Sequence, residues 1–176
     1  METTERIVEA YCRYVMNMFT ISNIKCRGQY EIDLLAIDTT HGIKRYHIEC
    51  GVSISEGYSK LTANDFSRER LKKRAEQAGQ RRTIDYFIHR KFGLKEVLST
   101  LKNYGFKKGK YNKIIVTWDS TKEAKIKAKR YKIIIWDFRD ILKNIAQRFR
   151  DQKTYFTDDT LRTIQLFAKA TMKEGK

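Results

Sequence analysis

The segment from Gly28 to Ser55 constrains the fold more than any other part of the chain. Apolar and polar residues alternate in two runs joined by a turn, a pattern that predicts a β-hairpin. Side chains on a strand switch sides at every residue, so Asp33 shares a side with Glu31, and Glu49 shares a side with His47. A carboxylate among isoleucines and leucines is unfavourable to bury unless it is paired or binds a metal. If Asp33 and Glu49 meet, they form a hard-oxygen site suited to Mg²⁺ or Mn²⁺.

The ordinary interpretation of two acids in a hairpin is a solvated face or salt bridges to nearby basic residues. Here the flanking residues are strongly apolar, a helix with its own acids precedes the hairpin, and a very basic segment follows it. These features narrow the gap between the ordinary interpretation and the metal site, and both interpretations stay open.

Composition limits the class of protein. The chain of 176 residues is long enough for a single domain, 1–176, with a full core. Its net charge of +16 predicts a polyanionic partner, with nucleic acid favoured over an anionic membrane or a ribosome. No apolar run is long enough to span a bilayer, so no membrane partner is expected. The three cysteines show no CxxC spacing, which favours a reducing, intracellular (cytoplasmic) setting.

The remaining segments predict alternating helices and strands. Two continuous apolar runs, 113–118 and 131–136, are typical of buried strands, and the helical segment between them predicts a parallel pair with a right-handed crossover. The other predicted elements are a helix over 3–18, a strand over 19–26, a long helical region over 62–91 with a break near Gly79, and helices over 94–104, 120–130, from Asp137 to Phe149, and over 158–172. The fold class is therefore α/β.

Basic residues are concentrated in the predicted region 62–91, where few acids balance them. A solvated charged face is one interpretation, and a surface that binds phosphate is the other. The loop 105–111 mixes basic, aromatic and glycine residues and is either a second contact or a plain connector. The candidate nucleic-acid-binding residues are Arg68, Arg70, Lys72, Lys73, Arg74, Arg81, Arg82, Lys107 and Lys108.

The order of elements, with E-I-D ending at Asp33 and I-E-C-G ending at Gly51, resembles the PD-(D/E)xK nuclease superfamily, the fold of restriction endonucleases, Mrr-type enzymes and archaeal Holliday-junction resolvases. The segments KIIVTW and STKEAKIKAKRYKIIIWDFRDIL also resemble the strand, helix and strand that close the Mrr-like core. The resemblance covers about residues 1–149 and leaves a helical extension over about 150–176. It implies a central mixed sheet, a three-strand meander plus crossover strands, flanked by helices.

The resemblance also implies a function. Asp33 and Glu49 match the two motif acids and would bind Mg²⁺ or Mn²⁺ together with the Cys50 carbonyl. Glu9 matches an acid that many members carry on the first helix, and Glu5 is the alternative. Such a protein would be a metal-dependent endonuclease that hydrolyses phosphodiester bonds, with DNA favoured over RNA. Relatives that cut both strands are commonly dimers, which implies a homodimer.

One position departs from the family pattern. The motif lysine should lie two residues after Glu49, where this chain has Gly51. Lys60 and Lys73 are the candidates to replace it from other elements, since Lys44 would point to the other side of the strand. His47 is on the correct side, as a proton-transfer or phosphate-binding group or as a structural residue.

The departure leaves three functions open. One is the metal-dependent nuclease, and another is a nuclease-fold protein that binds nucleic acid without cutting it. The third is a basic protein of an RNA assembly, in which the acids only pair with arginines.

Overall fold

The computed structural model describes residues 2–172 and shows an α/β fold. Its strands are β1 Phe19–Cys26, β2 Tyr30–Asp38, β3 Lys44–Gly51, β4 Lys60–Leu61, β5 Asn112–Thr117, β6 Asp119–Ser120 and β7 Ile133–Asp137. Its α-helices are α1 Thr3–Ala10, α2 Arg68–Lys72, α3 Arg74–Gln80, α4 Ile84–Tyr86, α5 Lys95–Asn103, α6 Lys122–Arg130, α7 Phe138–Arg150 and α8 Asp159–Thr171. A π-helix, Tyr11–Val15, continues α1, and another, Phe87–Lys91, continues α4.

Within the described residues, five strands form a mixed central sheet in the order β1-β2-β3-β5-β7. The first three are an antiparallel meander, and β3, β5 and β7 run parallel to one another. Strands β4 and β6 pair separately as a short parallel ribbon. The predicted fold class, a mixed sheet of a meander plus crossover strands flanked by helices, is confirmed.

Helices cover both sides of the sheet. On one side, α1, α7 and α8 pack against strand residues that include Leu34, Ile48 and Val116. On the other side, α4 with its π-helix and α6 pack on Ile115, while α5 packs on Leu35. This second side carries the acidic residues of the hairpin, and the elements that cover it therefore decide what reaches them.

The predicted helical region over 62–91 is confirmed only in part: α3 ends beside Gly79, where a break was predicted, but the region is divided further and its first residues are not helical. The backbone is extended at Ser67, Lys73 and Thr83, and the hydroxyls of Ser67 and Thr83 accept hydrogen bonds from N–H groups three residues later. Both residues therefore act as N-caps that start new helices. Thr62 lies in an extended segment whose backbone pairs with residues 82–84, which a continuous helix would not allow.

The other predicted elements differ from the structure mainly at their ends. The first helix changes to π-helical hydrogen bonding after Ala10, and α6 begins at Lys122 because the two preceding β6 residues pair with β4. Residues 173–176 of the predicted C-terminal extension lie outside the described residues. Across the described part of the chain, no helix is long and apolar enough to cross a membrane.

Candidate functional site

The two hairpin acids lie side by side where β2 and β3 stop pairing. The regular ladder ends at the pair Leu34–Ile48. Beyond it, Asp33 Oδ2 accepts a hydrogen bond from the Cys50 N–H at 2.8 Å, so the carboxylate takes the place of a main-chain acceptor. Asp33 is 5% exposed and Glu49 is fully buried. The strands thus hold both carboxylates away from water, on the same side of the sheet.

A lysine that the sequence analysis did not select completes this cluster. Lys91 Nζ lies 2.8 Å from Asp33 Oδ1 and 2.6 Å from Glu49 Oε2. It also donates to the main-chain carbonyl of Glu31 at 3.5 Å. We call Asp33, Glu49 and Lys91 the acid–lysine cluster. Its lysine comes from a helical segment and not from the strand that carries the second acid.

The Phe87–Lys91 π-helix directs this lysine inward. The Phe92 N–H donates to the Phe87 carbonyl at 2.8 Å, the i to i+5 bond of a π-helix. Phe87 and Phe92 are both buried and fix the segment against the sheet. Lys91 follows Phe87 by four residues and therefore lies on the same side of the segment. The position of Lys91 four residues after one phenylalanine and directly before another was the available sequence signal for it.

The same π-helix explains the glycine at the motif lysine position. A Cβ atom added to Gly51 would lie 2.6 Å from Phe87 Cζ, closer than non-bonded carbon atoms approach. The phenyl ring occupies the space into which a strand side chain would extend. The element that excludes a lysine from β3 is therefore the one that supplies Lys91.

The lysines selected from the sequence lie elsewhere. Lys60 Nζ is 3.8 Å from Asp119 Oδ2, and Lys73 Nζ is 3.6 Å from Glu76 Oε1. Both side chains are largely exposed in these pairs. The structure does not bring either lysine to the acid–lysine cluster.

His47 holds the second acid from behind. Its ring is fully buried, packs edge-on to Phe92 with centroids 4.8 Å apart, and places Nε2 2.6 Å from Glu49 Oε1. Burial lowers the pKa of His47 to about 3, so the ring is neutral, and with Glu49 ionised it is Nε2–H that donates. Its Nδ1 makes no hydrogen bond to any residue in the range 2–172. The histidine thus fixes one oxygen of Glu49 and leaves the other facing Lys91.

Burial dominates the electrostatics of the cluster. It raises the pKa of Asp33 to about 7, with a further rise from Glu49, against the opposing effect of Lys91. Burial also raises the pKa of Glu49, and Lys91 again opposes this. Burial by itself would lower the pKa of Lys91, but Glu49 and Asp33 outweigh it and raise that pKa. The ammonium is therefore charged and compensates two carboxylates that would otherwise resist ionisation.

The acid predicted on the first helix is bound to another element. Glu9 accepts hydrogen bonds from Thr20 Oγ1 at 2.9 Å and Ser22 Oγ at 3.1 Å, both on β1. Glu5, the alternative, has its pKa raised by burial and also by the negative charge of Asp33. Glu5 is thus the helix acid for which the structure shows electrostatic coupling to the cluster.

The predicted basic residues divide into an exposed group and one that is turned inward. The side chains of α2, α3 and the turn after them that face solvent are Arg68, Arg70, Lys72, Lys73, Arg74 and Arg81. Arg82 instead donates to the main-chain carbonyls of Gly51 and Val52, and so supports the end of β3. Lys107 and Lys108 are exposed before β5, towards the end of the sheet opposite to Gly51.

Two carboxylate oxygens of the cluster are of the type that binds a small divalent cation. Asp33 Oδ1 and Glu49 Oε2 already face one positive atom, the Lys91 nitrogen. No group of three His, Cys, Asp or Glu side chains suited to a metal occurs among residues 2–172. Mg²⁺ is nevertheless commonly held by one or two carboxylates, with water and substrate phosphate filling the other positions. For a metal to bind both carboxylates, the Lys91 ammonium has to move aside from its position against them.

Comparisons with known proteins give one structural similarity. No family model matches this chain, and no curated protein matches it. The crystal structure of AF1548, a protein of unknown function, is similar at a TM-score of 0.48 and 14% sequence identity, over 96% of this chain and 97% of that one. A similarity at this level carries no functional information, so function has to be argued from the site.

Proposed function

We propose that this protein is a metal-dependent DNA endonuclease of the PD-(D/E)xK type, with the acid–lysine cluster as its active site. The observation that carries the proposal is the meeting of two buried carboxylates at one ammonium, which lies within 2.8 Å of an oxygen atom of each. Burying two acids is unfavourable unless they have a partner, so their placement calls for a functional or structural reason. The net charge of +16 supports a polyanionic substrate.

In this proposal each residue has a separate role. Asp33 and Glu49 would hold Mg²⁺ or Mn²⁺, and the bound ion would supply Lewis-acid stabilisation of the scissile phosphate and of the attacking water. His47 orients Glu49 by donating to Oε1, so that Oε2 faces the cation. Lys91 places its ammonium against the negative charge that develops on the phosphate oxygens as the water oxygen bonds to phosphorus and the leaving oxygen departs. Lys91 thus takes the role that the resemblance assigns to a lysine at Gly51.

A second candidate function is a protein of the same fold that binds nucleic acid without cutting it. The position of Lys91 favours this alternative. Its ammonium pairs with both carboxylates, so the cluster already holds one positive charge against its two acids. If that cluster does not open, the acids and lysine serve stability alone.

Cleavage assays with matched variants separate the two functions. The wild-type chain is incubated with plasmid, linear and branched DNA in Mg²⁺ and in Mn²⁺, beside Asp33→Asn and Glu49→Gln. The nuclease predicts cleavage by the wild type that both variants lose while their DNA affinity stays within about threefold. Asp140→Asn is the control, because Asp140 is exposed on α7, which covers the side of the sheet that does not carry the cluster. Binding without cleavage on every substrate and with both metals would reject the nuclease and leave the second function.

The partner and setting follow from the same proposal. We favour DNA over RNA, a homodimer when both strands are cut, and an intracellular location that agrees with the three free cysteines. Light scattering of the chain with and without duplex DNA tests the dimer. Competition between DNA and RNA of the same sequence tests the substrate.

A further inference from the structure

We propose that a cleft beside Lys91 binds an unpaired nucleotide of the strand that enters the acid–lysine cluster. This inference rests on the proposed function and names its substrate class: DNA with a single-stranded segment next to the scissile phosphate. The cleft has a volume of about 650 Å³. Its lining includes two aromatic rings, three cations and one acid, namely Tyr30, Phe66, Arg68, Arg90, Lys95 and Glu96.

The cleft contains a surface on which a base can stack. The Arg90 guanidinium carbon lies 5.1 Å from the centre of the Tyr30 ring, so the two groups form a cation–π pair. Phe66 is held by edge-on contact with Tyr86, whose ring centre is 5.7 Å away. Tyr30 and Phe66 are both partly exposed. Aromatic and guanidinium groups along a basic groove are the elements with which proteins bind single strands.

The position of the cleft links it to the acids. Tyr30 lies three residues before Asp33 on β2, which is about 10 Å along a strand. Arg90 directly precedes Lys91 on the π-helix. A stacked strand rises about 3.4 Å per nucleotide, so at most about three nucleotides span that distance, and fewer do if the strand is extended. A base in the cleft would therefore belong to a nucleotide within about three positions of the phosphate at the cluster.

Charge and geometry both point to a nucleic acid whose bases are unpaired. Arg68 lines the cleft and lies one helical turn from the exposed Lys72 on α2, so exposed cations continue from the cleft along that helix. In a duplex, the faces of every internal base are covered by its neighbours. A stacking surface next to the cluster is useful only to a base that has left the stack.

Binding measured on DNA with a fixed register tests the inference. A fluorescent duplex carries a single-stranded overhang, and one abasic site is moved through the overhang a nucleotide at a time, in the presence of Ca²⁺. We expect one or two adjacent positions where the missing base weakens binding about fivefold or more, and less than twofold at the others. Tyr30→Leu should remove this position dependence, and Tyr30→Phe, which keeps the ring, should retain it.

The outcomes keep this inference apart from the proposed function. Equal affinity for the overhang DNA and the matched blunt duplex, or no sensitive abasic position, overturns the inference even if the protein cuts DNA. A sensitive position in a protein that never cleaves supports the cleft and rejects only the nuclease. Because the abasic series uses the unchanged wild-type chain, it does not depend on whether the Tyr30 variants fold.

Discussion

At the scale of single residues, the site depends on one ammonium that compensates two buried carboxylates. We expect Lys91→Met to lower the free energy of unfolding by about 3–5 kcal/mol in the absence of divalent metal, because it leaves buried charge unpaired. Mg²⁺ or Mn²⁺ should then restore much of that loss by taking the place of the ammonium. Urea unfolding with EDTA and with each metal measures both effects.

A matched lysine gives the control for this experiment. Lys102→Met changes an exposed side chain on α5 and should leave stability within about 0.5 kcal/mol. Unchanged stability of the Lys91 variant, or a loss that neither metal reduces, would contradict the view that lysine and metal bind the same carboxylates.

The raised pKa of Asp33 predicts a pH dependence of stability. The folded-state pKa is about 7 against an ordinary value of 3.8, so between these values the folded chain holds a proton that the unfolded chain has released. Stability from this group is therefore lost as pH rises through about 7. The groups that set this pKa are Glu49, Lys91 and the Cys50 N–H.

Asp33→Asn isolates this contribution, because asparagine resembles the protonated acid at every pH. In metal-free buffer, we expect the variant to gain stability relative to the wild type between pH 5 and pH 8. Urea unfolding across that range measures the difference, and a difference that does not vary with pH would show that Asp33 is already ionised at pH 5.

His47 is expected to act on metal affinity through Glu49. His47→Leu removes the donor to Glu49 Oε1, and loss of a group that orients a metal ligand typically weakens metal binding 10- to 100-fold. His47→Gln keeps an N–H donor and should recover part of that affinity. Titration calorimetry with Mn²⁺ on both variants makes the comparison, and equal affinities would reduce His47 to a packing residue.

At the scale of elements, β3 and the Phe87–Lys91 π-helix pack closely against each other at Gly51. A methyl group there would meet the Phe87 ring at 2.6 Å, so we expect Gly51→Ala to destabilise the fold by about 1–3 kcal/mol through overpacking. In a background of Phe87→Leu, which removes the ring, Gly51→Ala should destabilise the fold less. Thermal unfolding of the two single variants and the double variant gives the coupling energy between positions 51 and 87. If the two losses of stability simply add, the proposed contact between these residues is contradicted.

The five strands of the central sheet were predictable from the sequence, but the short β4–β6 ribbon and the way the helices divide were not. Alternation fixed the hairpin, and two continuous apolar runs marked the buried parallel strands. The region 62–91 was different because its many charged residues left no clear helical repeat of apolar residues. Ser67 and Thr83 were N-cap signals inside it. Without these breaks, Lys91 appeared as one of many surface cations, so the third member of the cluster was missed while Asp33 and Glu49 were found.

At the scale of the whole molecule, the excess of positive charge should make DNA binding depend steeply on salt. We expect neutralising Arg68, Arg70 and Lys72 together as glutamines to weaken binding and to lower the slope of log K against log salt by about 0.7–0.9 per lost phosphate contact. Fluorescence anisotropy between about 50 and 200 mM salt measures the slope.

A variant of equal charge on the other side of the sheet is the control. Lys143, Arg148 and Lys169 are exposed on α7 and α8, which cover the side that does not carry the acids. Neutralising them should reduce affinity less and leave the slope nearly unchanged. Equal effects of the two triple variants would mean that net charge, and not the α2 surface, attracts the DNA.

The π-helical hydrogen bonding next to Phe92 makes the identity of the side chain at the acid–lysine cluster depend on the exact length of this segment. A π-helical turn is commonly described as an α-helical turn with one residue inserted. Deleting a single residue between Phe87 and Lys91 would restore ordinary helical winding and rotate everything after it by about 100°. A homologue shorter by that one residue would present a different side chain to its carboxylates, although every strand and both acids were the same.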